Sequence, residues 1–218
     1  RAKGHKSGVK TLRNLIERAV QLGLTIITVY AFSRENWQRP RKEVDLLIDL
    51  FITSLQSEVH DLHQNNIKLN FIGELTKFSD KLRKSIKESE LLTYNNSGLT
   101  LNVALNYSGR WDIHRALLSI INEVQSKKIT IDEINEKLIN SKLSLAENHE
   151  PDLFIRTGGE KRISNYLLWQ LAYTEMYFTD ILWPDFDIDQ FDLALDWFAK
   201  RQRRFGKTST QIENDQNA

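Results

Sequence analysis

Leu24–Phe32 reads LTIITVYAF. The run is β-branched, aromatic and nearly all apolar, with no alternation of polar and apolar positions. A strand with one wet face alternates. A continuous apolar run fits a strand covered on both faces, as in parallel sheets flanked by crossover helices. The neighbouring segments agree. Lys6–Leu22 carries a helical stripe of Val9, Leu12, Leu15, Ile16, Ala19 and Val20, and Gly23 stops it. A polar loop, Ser33–Pro40, follows the strand. Arg41–Gln64 then repeats the helical spacing with Val44, Leu47, Ile48, Phe51, Ile52, Leu55, Val59 and Leu62.

The same alternation continues outward. Strands are expected at Lys68–Gly73, Leu99–Tyr107, Leu153–Thr157 and Met176–Leu182. Helices are expected at Ser79–Leu92, Arg110–Gln125, Asp132–Asn140, Asn165–Ala172 and Gln190–Arg203. Alternating strands and helices predict an α/β fold: a mostly parallel central sheet flanked by helices, in a single domain. There is no internal repeat and no linker. Residues 208–218 are polar and are expected to form a disordered tail.

Bulk properties narrow the function. The 218 residues are 40% hydrophobic and 27% charged, enough for one substantial core. Lys and Arg number 30 and Asp and Glu 29, for a net charge of +1. Global charge therefore does not point to nucleic acid, and any anion site must be local. The absence of cysteine excludes disulfides, thiolate nucleophiles and Cys-based zinc sites. No run reaches the roughly 18–20 apolar residues that span a bilayer, so membrane contact would be peripheral. The chain begins at Arg1 rather than Met.

In parallel α/β sheets, ligands bind beyond the carboxyl ends of the strands. Four segments leave strands there: AFSRENWQR, IGE, NYSGRWD and RTGGEKRISN. The last combines glycines that allow close backbone approach, an expected helix start with free N–H groups, and the guanidinium forks of Arg156 and Arg162. Together these suit a phosphate. The alternative is a strand–helix turn with two solvated arginines. However, Arg156 directly follows a buried strand, where an unpaired cation is costly. Ser33, Arg34, Glu35, Asn36, Trp37 and Arg39 bring a hydroxyl, a carboxylate, an amide, an indole and two cations to the same rim. The plain alternative is a surface loop with one tucked Trp. Arg1, Lys3, His5 and Lys6 can supply cations and an imidazole, or be a solvated end. Glu175, flanked by aromatics, is either a strand-edge charge or one carboxylate of a Mg²⁺ site, since Mg²⁺ takes one or two carboxylates plus substrate phosphates.

Other matches fail on spacing. Gly206-Lys207-Thr208 resembles the end of a P-loop, but Arg201 occupies the earlier glycine position and no strand precedes it. Asp185, Asp187 and Asp189 resemble a calcium loop, but Gln190 stands where glycine is required. His60 and His63 lack a third ligand. Lys200, Arg201, Arg203 and Arg204 suit a solvated helix end.

Taken together, RAKGHKSG, TVYAFSRENWQRPRKEV, GLTLNVALNYSGRWDI, DLFIRTGGEKRISNYLLWQLAYTEMYFTD, LWPDFD and RRFG resemble the cis-prenyltransferase family, and within it the bacterial undecaprenyl diphosphate synthases. The likeness runs in the family's order from residue 1 to about 207. It implies a cytoplasmic, Mg²⁺-dependent homodimer with a hydrophobic tunnel, whose catalytic domain is residues 1–207. Its implied reaction condenses farnesyl diphosphate with successive isopentenyl diphosphates. The product, undecaprenyl diphosphate, is a lipid-carrier precursor for cell-wall polysaccharides. Nucleic acid is not an expected partner, and membrane contact is expected only for product release.

The resemblance assigns Arg156, Arg162, Ile163 and Ser164 to the isopentenyl diphosphate site and Glu175 to the metal. Arg1, His5 and Arg39 fall around the allylic diphosphate. Ser33, Arg34 and Glu35 form a substrate-contacting turn. Trp37 belongs to a loop that closes over the site, and Asn36 matches a residue assigned as proton acceptor. Arg204 and Gly206 match an element that reaches the partner subunit's site. Leu99 matches a tunnel-floor position that sets product length. Two features depart from the family. Its Asp-Gly-Asn-Gly-Arg-Trp motif, with the main catalytic Asp, is expected upstream of Arg1. Lys161 stands where many members carry His, and is expected to touch phosphate or solvent. A catalytically inactive partner subunit, a synthase of different product length, and an anionic-lipid or nucleic-acid binder acting through Lys200–Lys207 are the alternatives.

Overall fold

Each pairing between described strands is parallel. β1 (Ile26–Ser33), β2 (Lys68–Ile72) and β3 (Thr100–Tyr107) form one sheet in the order β1-β3-β2, and β4 (Leu153–Arg156) pairs with β5 (Glu175–Phe178) in a second. The structure is a computed structural model that describes residues 2–202, with side chains from residue 7 onward. The expected roles of Arg1, Arg204 and Gly206, the side chain of His5, and the tail 208–218 lie outside the described residues. The helices are α1 (Ala2–Gln21), α2 (Arg41–Gln64), α3 (Asp80–Thr93), α4 (Gly109–Gln125), α5 (Glu136–Lys142) and α6 (Ile188–Ala199). α1 packs on α2 and α2 on α3, while α4 packs on α5.

The main core lies between the sheet and α1, α2, α3 and α6. Its pattern corrects one expectation. β1 is mostly apolar, yet Phe32 is its only buried residue. The stripe of α2 behaves alike: Val44, Leu55 and Val59 are buried, whereas Leu47, Ile48, Phe51 and Leu62 are only half-buried. These side chains face a cavity rather than a closed core.

β2 is a sheet edge, and α3 seals it. The Phe71 N–H donates to Glu90 Oε1 at 2.9 Å and the Leu69 N–H to Thr93 Oγ1 at 3.0 Å, while Asn96 Nδ2 donates to the Ile67 carbonyl at 2.6 Å. The backbone groups of an unpaired edge thus find partners on α3 and the turn after it instead of on another chain.

Two other segments differ from expectation. Asn165–Ala172 does not form a helix; it is a series of turns. Ser164, Asn165 and Leu167 take positive φ of 50°, 60° and 41°, which a right-handed helix forbids. The last strand starts at Glu175 and ends at Phe178, earlier than Leu182.

Candidate active site

The rim is shaped first by irregularities in β1 and β3. The register between them shifts at Tyr30/Phe32 and again at Phe32/Ser33. Ala31 bulges from β1, and Asn106, at φ 51°, absorbs the second shift in β3. Bulges re-aim the residues that follow. Ser33 then enters a 3-10 turn, Arg34–Gln38, whose first link is the Ser33 N–H donating to Asn36 Oδ1 at 3.0 Å.

Asn106 is fully buried and anchors this turn. Trp37 Nε1 donates to its Oδ1 at 2.8 Å, its Nδ2 donates to the Glu74 carbonyl at 2.6 Å, and its own carbonyl accepts the Glu74 N–H at 3.3 Å. The Trp37 ring packs edge-on to Phe32 at 5.2 Å and on Phe78 at 5.5 Å. Trp37 is therefore tucked against the core and does not border the cavity. Arg34 is also turned aside. It pairs with Glu74 at 2.8 Å and lies over the Trp111 ring. The Thr76 hydroxyl and Arg34 hold the Glu74 carboxyl below its usual range.

The second half of the rim follows β4. Gly158 and Gly159 adopt φ of 84° and 77°, which side chains rarely allow. Their N–H groups are not left free for an anion. Instead they donate to the Ile181 and Thr179 carbonyls at 2.8 and 2.9 Å, tying the loop to the chain beyond β5. The expected helix start is missing as well. The cations of this loop are its side chains. Arg156 donates to Ser164 Oγ at 2.8 Å and to the Arg162 carbonyl, while Arg162 pairs with Glu160 and stays exposed.

Asn165 joins the two halves. Its Nδ2 donates to Glu35 Oε1 at 2.8 Å, its Oδ1 accepts the Arg110 N–H at 3.0 Å, and its carbonyl accepts the Gly109 N–H at 2.6 Å. Asn106, Asn165 and Glu74 escape sequence reasoning, although an Asn inside the apolar run LTLNVALNY was a usable signal. Nearby, burial pushes the Tyr30 hydroxyl well above its usual pKa, with Glu35 adding to the effect. Burial does the same to Tyr166, which stacks on Tyr30 at 4.3 Å.

A cavity of about 2560 Å³ connects this rim to the interior. At its mouth stand Ser33, Glu35, Asn36, Arg39, Arg110, Arg156, Ile163, Ser164 and Asn165; its walls are apolar side chains of α1, α2, β1, β2 and β3. Arg162 does not border it. Leu99 is buried behind the lining, 4% exposed, in the same core cluster as the liners Ile67, Leu69 and Leu101. Glu175 is not brought to the rim. It pairs with Leu153 at the start of β5, whereas Arg156 pairs with Phe178 at the far end of the ladder. At ~3.3 Å per residue this separates them by about 10 Å along the strand. Among the described residues there is no group of three His, Cys, Asp or Glu that could hold a metal ion.

The sequence model of a family described as "Putative undecaprenyl diphosphate synthase" matches residues 1–206. A ditrans,polycis-undecaprenyl-diphosphate synthase of Yersinia pseudotuberculosis, specific for (2E,6E)-farnesyl diphosphate, is 50% identical over 94% of this chain and 82% of its own. The Escherichia coli K12 protein of the same name is 50% identical over 95% and 82%. Lavandulyl diphosphate synthase of Lavandula x intermedia, solved with dimethylallyl diphosphate, superimposes with a TM-score of 0.91 at 36% identity, covering 94% of this chain and 89% of that one. A probable undecaprenyl diphosphate synthase of Campylobacter jejuni gives 0.83 at 35%, covering 93% of each chain.

Proposed function

The chain belongs to the undecaprenyl diphosphate synthase family, and from that premise we propose that it elongates farnesyl diphosphate with successive isopentenyl diphosphates to undecaprenyl diphosphate. The carrying observation is one large cavity with cations at its mouth and a long apolar interior. A diphosphate and a growing hydrocarbon call for those two environments side by side. Residues 1–207 form the catalytic domain in this reading.

Arg156, Arg162 and Ser164 hold the isopentenyl diphosphate. Arg39, with Arg1 and His5 from outside the described side chains, holds the allylic diphosphate. The reaction breaks an allylic C–O bond as a C–C bond forms, and the departing diphosphate gathers negative charge. Cations contribute to rate as far as they stabilise that charge more in the transition state than in the ground state. Hydrogen bonds to charged groups are worth roughly 1.5–3 kcal/mol. Arg156→Ala should therefore weaken isopentenyl diphosphate binding by one to two decades. Unchanged affinity in calorimetry rejects that role. Before binding, Arg156 is satisfied by its own loop, so a diphosphate oxygen must take over those donors. Asn36 Oδ1 already accepts one backbone N–H, and an amide is a very weak base. Asn36 thus orients the proton lost from the second substrate, and a diphosphate oxygen or His5 takes it.

The family resemblance also assigns Mg²⁺. The described residues do not by themselves fit it: Glu175 lies about 10 Å along the strand from Arg156, and no group of three His, Cys, Asp or Glu among the described residues could hold a metal ion. A homodimer is supported by α4, which exposes Leu117, Leu118 and Ile121 at 46%, 48% and 48% on a helix that packs only its other face. No described helix is long and apolar enough to cross a membrane. Val20 and Leu22, exposed at the end of α1, favour a peripheral contact during product release, in a cytoplasmic protein. Burying each CH₂ contributes ~0.8 kcal/mol, so release of a long product limits turnover, and detergent should raise the steady-state rate.

The full-length protein, incubated with farnesyl diphosphate, labelled isopentenyl diphosphate and Mg²⁺, should yield long-chain polyprenyl diphosphate. No product favours the reading as an inactive partner subunit.

A further inference from the structure

Two half-sites make the rim. One is the turn after β1 with Ser33, Glu35, Asn36 and Arg39; the other is the loop after β4 with Arg156 and Ser164. They belong to different sheets, so sheet hydrogen bonding does not set their spacing. From this geometry we infer that Asn165 is a positioning residue that locks the two half-sites to each other and so couples the binding of the two substrates. The inference rests on the proposed reaction.

Three observations carry it. First, Asn165 bridges separate elements: its side chain donates to Glu35 in one half-site and accepts from Arg110 at the start of α4. Secondly, its backbone is held in the left-handed region at φ 60°, with its carbonyl on the Gly109 N–H at 2.6 Å. A Cβ on Gly109 would lie 2.6 Å from the Leu168 side chain, so the turn sits directly on the first residue of α4. Thirdly, Asn165 follows Ser164, the residue that receives Arg156. A shift of Asn165 moves Ser164 and Arg156 relative to Glu35 and Asn36. The α4 N–H groups also become unavailable to a diphosphate, which leaves the anion to the arginines. Coupling between two sites is reciprocal in binding free energy: an allylic ligand that orders the Glu35 turn tightens the isopentenyl site, and the converse holds.

The test uses the full-length protein, farnesyl thiodiphosphate as an unreactive allylic ligand, and isopentenyl diphosphate. In the wild type, the thiodiphosphate should tighten isopentenyl diphosphate binding in calorimetry. Asn165→Ala should remove that enhancement and raise KM for isopentenyl diphosphate about tenfold or more, while affinity for the thiodiphosphate alone changes less than threefold. Undiminished enhancement in a variant with wild-type circular dichroism overturns the inference. Should Asn165→Ala not fold, a polarity swap decides. Asn165→Asp places two carboxylates face to face. Adding Glu35→Gln restores a donor opposite an acceptor and should recover at least part of the enhancement lost in Asn165→Asp; no recovery overturns the inference. A wild type that makes no polyprenyl product but retains the enhancement rejects the proposed reaction and leaves the coupling standing.

Discussion

At the scale of single residues, the site depends on buried amides that hold other side chains. Asn106 accepts from Trp37, donates to the Glu74 carbonyl, and occupies a left-handed backbone position. Removing its side chain leaves an indole N–H and a carbonyl without partners, at about 1–3 kcal/mol each. Asn106→Gly keeps φ 51° accessible and isolates the side-chain loss. Its urea midpoint should fall by an amount worth about 2–6 kcal/mol, and the quantum yield of Trp37 fluorescence should change. A stability within about 0.5 kcal/mol of wild type, the size of ordinary surface effects, would remove the anchoring role. The cationic residues were legible, because an arginine that closes an apolar run, as Arg156 does, demands a partner. The amides were not. An Asn in an apolar strand signals a partner without naming it, and Trp37 lies in a different loop.

At the scale of elements, α3 and β2 form a unit in which a carboxylate stands in for a strand. Glu90 accepts the Phe71 N–H, and burial raises its pKa above the usual carboxylate value, the backbone bond offsetting only part of that rise. The folded chain therefore binds the Glu90 proton more tightly than the unfolded chain. Stability from this group is greatest below the unfolded pKa and declines as pH rises through the folded one. Glu90→Gln keeps an oxygen for Phe71 and removes the titration. Its unfolding free energy should exceed that of the wild type at neutral pH, and the difference should shrink towards pH 4; a pH-independent difference contradicts this assignment. Long periodic elements such as α2 were read from the sequence to the residue, since their stripes are repeated many times. The segment Asn165–Ala172 was misread because its apolar spacing suits a helix. Its left-handed residues are held by contacts with Gly109 and Arg110 that are distant in sequence.

At the scale of the whole molecule, the apolar residues of β1 and α2 serve two ends at once, and only the structure separates them. Ile27 and Val29 of β1 and Leu47, Ile48, Phe51 and Leu62 of α2 line the cavity half-buried, whereas Val44 and Val59 of α2 are buried away from it. The cavity runs from the arginine rim at the carboxyl ends of the strands towards their amino ends, where Leu62, Ile67, Leu69 and Leu101 line it. Leu99 lies behind them in the same cluster. In the proposed reaction a chain growing from the rim advances towards this floor and stops when no apolar room remains, so wall and backing residues should act on product length in opposite senses. Leu62 is half-buried with open space before it, so Leu62→Trp fills the cavity and should shorten the product. Leu99→Ala opens a void behind the floor, should lengthen the product, and costs about 2–5 kcal/mol of stability as a buried truncation. Thin-layer chromatography of the dephosphorylated products, beside urea unfolding of both variants, checks the pair. Identical product lengths in both folded variants would place the determinant elsewhere, and the cavity would then be a binding volume without a ruler.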